Sequence, residues 1–258
     1  MDVVDFISAE RLKTYERYTS SQKRAIALHN HTLQLGSSLM AMIALLELSL
    51  RNATNQRLID DFGDEKWLLP NSITLPLKDF ERRAISAATS HAQKAAYSKL
   101  NSKQKNHLDA FAFPGGRPSN TSHKSAVKKR QSLFIVSHGQ IISQTTLSFW
   151  KRLYSSDYEE TLWKPSIKKV FPNKKLRRGD IAKALEAIYA TRNRVAHHEP
   201  MYGSRLAEVM AAIDFIRSSL GSSDIGEESE FKKFSRVHHL RLKMDHESFV
   251  EAWNTLKE

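Results

Sequence analysis

Residues 37–63, SSLMAMIALLELSLRNATNQRLIDDFG, decide the fold class. From Leu39 to Leu50 the run is apolar on nearly every side, and Glu47 is its only charge. A helix that is apolar all round is buried among several neighbours. About twelve such residues fall well short of the roughly 20 that cross a bilayer. The run therefore predicts a core helix from Ser37 to about Phe62, closed by Gly63. Gly36 reads as a break that separates it from an earlier helix, capped by Ser20 or Ser21 and carrying Ala25, Ile26, Leu28, Leu33 and Leu35.

Working outward, the same signals predict further helices. One is capped by Ser8 and runs through Tyr18, and one follows Pro70 and Pro76 from Phe80 towards Leu100. Others span Ser132 to Leu153, Asp157 to Phe171, and Asp180 to His198 ahead of Pro200. The polar residues after Leu100 read as a surface turn. Residues 111–130, FAFPGGRPSNTSHKSAVKKR, read as an exposed basic loop. Only 9 Gly and 7 Pro punctuate the chain, and no stretch alternates as a strand would, so the fold class is all-α. GSSDIGEESE at 221–230 separates a helical domain, 1–220, from a linker and C-terminal helical extension, 221–258.

The 258 residues hold 40 Lys+Arg against 28 Asp+Glu, a net charge of +12 and a pI near 9.8, which favours a polyanionic partner. The excess is concentrated. Residues 99–178 carry 17 cations and 4 acids, the remainder 23 and 24. Clustered cations bind nucleic-acid phosphates by releasing counterions. Lys124, Lys128, Lys129, Arg130, Lys174, Lys175, Arg177 and Arg178 are the candidate RNA contacts. Phe149, Trp150, Tyr154, Tyr158 and Trp163 lie among them. Leu147, Leu153 and Leu162 interleave at helical spacing, so core packing outweighs base stacking for these rings. With no Cys, thiol chemistry and cysteine-ligated metals are excluded. Acids in place of bases near the N-terminus leave no export signal, giving a cytoplasmic chain with no membrane partner.

The chemistry concentrates in DIAKALEAIYATRNRVAHHEP, 180–200. At about 100° per residue, Ile181, Leu185, Ile188 and Val195 form one apolar stripe, and Arg192 falls inside it. A permanently charged guanidinium there is paired, opens into a cleft, or snorkels. Glu47 and Arg51, on the other buried helix, are the candidate support. Asn193 and His197 share a face, whereas His197 and Arg192 diverge by about 140° on a straight helix. A joint site therefore needs a bent end, which Pro200 favours, or a second copy of the chain. Arg with His suits metal-independent phosphodiester cleavage, because His exchanges protons near neutrality and Arg grips phosphate oxygens. Neighbouring His197 and His198 with Glu199 do not complete a metal site, and no cofactor is called for.

RNRVAHHEP (192–200) resembles the Arg-polar-x3-His motif (R-x4–6-H) of the HEPN superfamily. Arg192 stands as the Arg, Asn193 as the polar residue and His197 as the His, while His198 also fits the spacing. Together with LLELSLRNATNQRL (45–58) and LSFWKRLYSSDYEETLWKPSIKKVFP (147–172), in that order, the chain is similar to Abi-like proteins of bacterial abortive infection. The resemblance implies a helical bundle that dimerises through its motif-bearing helices. It also implies a ribonuclease of phage defence or a toxin, leaving 2′,3′-cyclic phosphate and 5′-OH ends. Arg192, His197 and Asn193 are then catalytic, Glu47, Arg51 and His198 supporting, and a noncoding RNA or a protein antitoxin restrains the activity. The alternative is a silent RNA-binding or protein-binding module on the same fold.

Overall fold

A computed structural model describes residues 3–224 and 228–257, so residues 225–227 of the expected linker lie outside the described residues. Every regular element among them is helical. The chain divides into two units, residues 1–54 with 154–258, and residues 55–153.

In the first unit, α1 (Val3–Ile7) and α2 (Ala9–Glu16) precede α3 (Gln22–Phe62), whose last turns, beyond Thr54, belong to the second unit. Gly36 does not break α3, which runs through it for 41 residues. The reason is packing. A Cβ at Gly36 would stand 3.2 Å from Val195 Cγ1, so the missing side chain lets the helix that carries Arg192 and leads into His198 approach α3 closely. Gly63, at φ 70°, ends α3 as expected. α3 contains an 18-residue window of mean hydropathy 1.6, of which 44% is buried. Leu35, Leu39, Met42, Ile43, Leu46 and Leu50 are the buried face, while Ala41, Ala44 and Leu48 are exposed, so the helix is covered on one side and not all round.

Residues expected to form one helix from Asp157 to Phe171 instead form three short turns, Ser156–Tyr158, Glu159–Trp163 and Ile167–Val170. Pro165 lacks the N–H that a continuous helix needs there. The turns bury Tyr154, Tyr158, Trp163 and Phe171, and Thr54 and Tyr154 share a 2.7 Å hydrogen bond in that core. The helix predicted from Asp180 begins two residues earlier. Here α4 denotes Arg178–Ala196, with Asp180 an acid in its first turn, where the helix dipole favours one. It packs against α5 (Gly203–Ser219). The segment set apart as an extension contains α6 (Glu230–Leu256), which groups with this unit. At its end Trp253 stacks on Tyr202 at 5.0 Å and meets Tyr18 at 5.1 Å.

The second unit begins with the end of α3 and continues through α7 (Asp79–Ser98), α8 (Ser102–Ala112), α9 (His123–Gln131), α10 (His138–Ile142) and α11 (Leu147–Arg152). The expected surface turn after Leu100 is thus a helix. Asn101 accepts from the Gln104 backbone at 2.9 Å, and the Gln104 side chain returns the bond. The expected loop at 111–130 is a loop only to Ser122, which caps α9. The expected helix from Ser132 to Leu153 begins only at His138 and is split between α10 and α11, where the Ser143 and Thr145 hydroxyls bond back to the carbonyls of Gln140 and Ile142. The core stacks Trp67 on Phe149 at 6.3 Å and sets Trp67 edge-on to Trp150 at 6.0 Å. Asn55 Oδ1 receives Trp67 Nε1 at 3.0 Å and lies 2.8 Å from His138 Nε2. As expected, the five aromatic rings of the basic third are buried and do not face solvent.

Arg130 is also a structural residue and is corrected from the RNA-contact group. It is 7% exposed and grips Asp109 with two bonds, Nε to Oδ1 at 2.7 Å and Nη2 to Oδ2 at 2.5 Å. The guanidinium holds the Asp109 carboxyl below its usual range, and the pair ties α9 to α8. Arg130→Ala removes a buried guanidinium and the tie between α9 and α8, while the partly exposed Asp109 turns to water, and a lower denaturant midpoint is the expected result. A variant that kept its midpoint and lost only RNA affinity would return Arg130 to the surface group.

Candidate functional site

The motif lies at the C-terminal end of α4, and the backbone there is unusual. His197 is the C-cap. His198 N–H bonds to Val195 C=O and Glu199 N–H to Arg194 C=O, both at 2.9 Å, which is a Schellman motif. That motif needs a left-handed residue at His198, whose φ is 55°. Glycine is the usual occupant, since a side chain costs roughly 1–2 kcal/mol there. Pro200 follows, where the helix could not continue. Across the turn, Arg194 Nη1 pairs with Glu199 Oε2 at 2.7 Å.

The turn aims His198 at a hollow. A cavity of about 330 Å³ lies between α3 and α4, lined by Thr32, Ser37, Met40, Val195, His198 and Glu199, with Leu33 and Gly36 completing it. Both histidines are exposed; His198 borders the hollow and His197 does not. Arg192, Val195 and His198 follow one another at three-residue steps. Arg192 stands about 60° from Val195 around the helix. It is half-exposed on the packing face and is not itself a lining residue. Of the three alternatives for Arg192, pairing with Glu47 is not found among the described residues. Glu47 and Arg51 are half-buried on α3, outside the cavity. Partial exposure accounts for Arg192: its head reaches water at the helix end, so no carboxylate is required. Asn193 is likewise half-exposed.

His29 is a residue the sequence analysis passed over. It lies on α3 one turn before Leu33, is 5% exposed, and sets its ring edge-on to Tyr15 at 5.4 Å. Among the described residues neither ring nitrogen has a partner at hydrogen-bond geometry, the Asn30 side chain being only a loose neighbour. Burial pushes its pKa below the usual histidine range, assisted by the nearby positive fields of Arg11 and His198, against a neighbouring Asn30 that favours the charged ring. The readable signal was its phase, since Ala25, Leu28, Thr32 and Leu35 share its face at helical spacing. Burial also lowers His138 and His239. Each ring is therefore neutral in the fold where the unfolded chain would still take a proton. Stability should be complete above the unfolded value near 6.5 and fall as the pH drops below it. A melting temperature lower at pH 5.5 than at 7.5, with the gap narrowed by His29→Phe, is the expected result; an unchanged gap would exclude His29 as a contributor.

The cationic candidates separate into two places. In the second unit, Lys124 and Lys128 line a groove of about 530 Å³ between α7 and α9, together with Lys94, His91 and His123. Lys129 is exposed and sets its Nζ 4.6 Å above the Phe113 ring. In the first unit, Lys174, Arg177 and Lys168 line a hollow of about 580 Å³ at the N-terminus of α4, and Lys175 is exposed nearby. Arg178 is partly committed, because its Nε bonds to Glu159 and its Nη1 donates to the Tyr154 carbonyl at 2.9 Å. This hollow and the motif occupy opposite ends of a 19-residue helix, about 28 Å apart.

Among the described residues no three His, Asp or Glu side chains gather as a metal site. No family profile, no curated protein and no solved structure matches this chain.

Proposed function

We propose that the chain is a metal-independent endoribonuclease of bacterial phage defence, acting in the cytoplasm as an abortive-infection effector or toxin. The observation that carries the reading is His198. It is a histidine held in a left-handed turn that glycine would fill at lower cost, facing a cavity at the end of the Arg192–Asn193 motif. In the proposed reaction an imidazole takes the proton of a ribose 2′-OH, and that oxygen attacks the adjacent phosphorus. The 5′-oxygen leaves with a proton from a second acid, and a 2′,3′-cyclic phosphate remains. Arg192 stabilises the charge that develops on the phosphoryl oxygens, and Asn193 orients the strand. The divergence of Arg192 and His197 fits a composite cleft in which a second copy supplies the complementary half. Glu47 and Arg51 support the helix behind the motif.

End-labelled single-stranded RNA incubated with the protein in excess EDTA should be cut, leaving cyclic phosphate and 5′-OH ends. RNA bound without cutting would replace this reading with that of a silent binding module, and cutting that stopped in EDTA would remove the metal-independent mechanism.

The exposed cations on the two units supply RNA grip, and a noncoding RNA or a protein antitoxin would restrain the enzyme there or at the cleft. The triple substitution Lys94→Glu, Lys124→Glu and Lys128→Glu should reduce the slope of log affinity against log salt by about 2 and leave the product ends unchanged. An unaltered slope would mean that the α7–α9 groove does not contact phosphate.

A further inference from the structure

One face of α6 is uncovered. Its inner side is buried through Ser235, His239, Leu242, Asp245, Phe249 and Ala252. On the opposite side, at steps of four and three, run Lys233, Val237, Leu240, Met244, Glu247 and Glu251, all exposed. Val237 is 76% exposed, Leu240 54% and Met244 61%, and Phe234 beside them is 65% exposed. A contiguous apolar stripe of this kind is uncommon on a monomer surface. Its spacing is that of a coiled-coil seam.

The charge along α6 is graded. Residues 230–243 hold five Lys or Arg and one Glu, whereas residues 244–256 hold no Lys or Arg and two exposed acids, Glu247 and Glu251, the third acid, Asp245, being buried on the inner side. A two-fold dimer interface must be complementary to itself, and a helix basic at one end and acidic at the other meets that condition only when antiparallel. Antiparallel seam geometry sets Leu240 against the partner's Met244 twice about an axis near residue 242. Lys233 then stands opposite the partner's Glu251. A parallel pairing would stack like charges. The existing exposed bond between Lys233 and Glu230 at 2.7 Å is of a type worth little, and so is readily exchanged.

We infer that the outer face of α6 is a homodimer interface in which two copies of the chain pack these helices antiparallel. This face is distinct from the motif-bearing helix α4, and the inference stands whether or not the chain cleaves RNA.

Light scattering on the eluted 258-residue protein should give a dimer, or a multiple of it where copies also meet at α4. Met244→Asp should weaken association at least about tenfold with unchanged helix content, since it buries a charge in the seam. Because the chain has no cysteine, single thiols report the register. Lys233→Cys and Glu251→Cys chains should link when mixed and not when alone, as each position lies about 27 Å from its own copy. Lys233→Glu should weaken the dimer, and adding Glu251→Lys should restore it; both positions are exposed, so folding is not at stake. A monomer, a dimer indifferent to Met244→Asp, or Lys233→Cys linking to itself would overturn the assignment.

Discussion

Glycine in place of His198 is expected to leave the protein within about 1 kcal/mol of its original stability while lowering RNA cleavage by roughly 10²–10⁴. The two halves of the result come from different parts of one residue. The backbone of His198 is left-handed, at φ 55°, and glycine enters that region without the clash a Cβ brings. The gain is partly offset by the wider freedom of glycine in the unfolded chain. The Schellman bonds at His198 and Glu199 are backbone bonds and survive the exchange. What disappears is the imidazole beside Ser37 and Thr32, and with it the proton acceptor for a 2′-OH. His198→Asn is the companion variant, because asparagine also tolerates the left-handed region and cannot act as a base. His197→Ala should cost less activity, since that residue does not border the cavity. Rates and melting curves measured on the same preparations decide the matter. A glycine variant that cleaves at the original rate would reduce His198 to a helix cap and return the acid/base role to His197. Equal RNA affinity in all three variants would show that the loss is chemical.

Much of this site was legible from residues alone, and the part that was not depended on approach between helices. The apolar phase of Ile181, Leu185, Ile188 and Val195 is the buried face of α4. Arg192 stands out on it because it is the one charge within that phase. Its half-exposure could not be read, since phase gives a direction and not the distance to the nearest neighbour. Gly36 illustrates the same limit. Low helix propensity makes a mid-helix glycine read as a break, yet tertiary packing overrides that cost when a second helix needs the space. The capping box of Asn101 and Gln104 was present in the sequence and passed over, because the polar residues around it gave no apolar stripe. Arg130 shows the reverse error. It sits in a run of cations, KKR, and only the fold reveals that Asp109, 21 positions earlier, claims it. Charge in sequence counts cations; structure decides which of them remain available to a phosphate.

The attachment of α6 leads to the second large effect. Asp245→Ala should destabilise the first unit by about 2–4 kcal/mol and expose α6 to proteases ahead of the rest of the chain. The carboxylate is 4% exposed and accepts from three donors: Gln34 Nε2 at 2.7 Å, Ser38 Oγ, and Arg241 Nε at 2.9 Å. Gln34 and Ser38 are one turn apart on α3, so a single acid on α6 satisfies two polar groups of the opposing helix. Alanine leaves the buried Ser38 hydroxyl without its acceptor, whereas the exposed Gln34 amide turns to water, so the cost falls chiefly on Ser38 and on the lost anchoring of α6. Burial alone would raise the Asp245 pKa; the bonds from Ser38, Gln34 and Arg241 outweigh it and hold the carboxyl below the ordinary range. Its folded value being depressed, the stabilisation is complete above the unfolded value near 4 and is lost as the pH falls towards the folded one. Asp245→Asn keeps one acceptor oxygen and should fall between alanine and the native residue. The midpoint of chemical unfolding, followed at neutral pH and again near pH 3, separates the contributions: the native chain and Asp245→Asn should converge on acidification. If they differ by the same amount at both values, the bonds are not made to a carboxylate, and the anchoring of α6 to α3 must be sought in the apolar contacts of Leu242 and Phe249 instead.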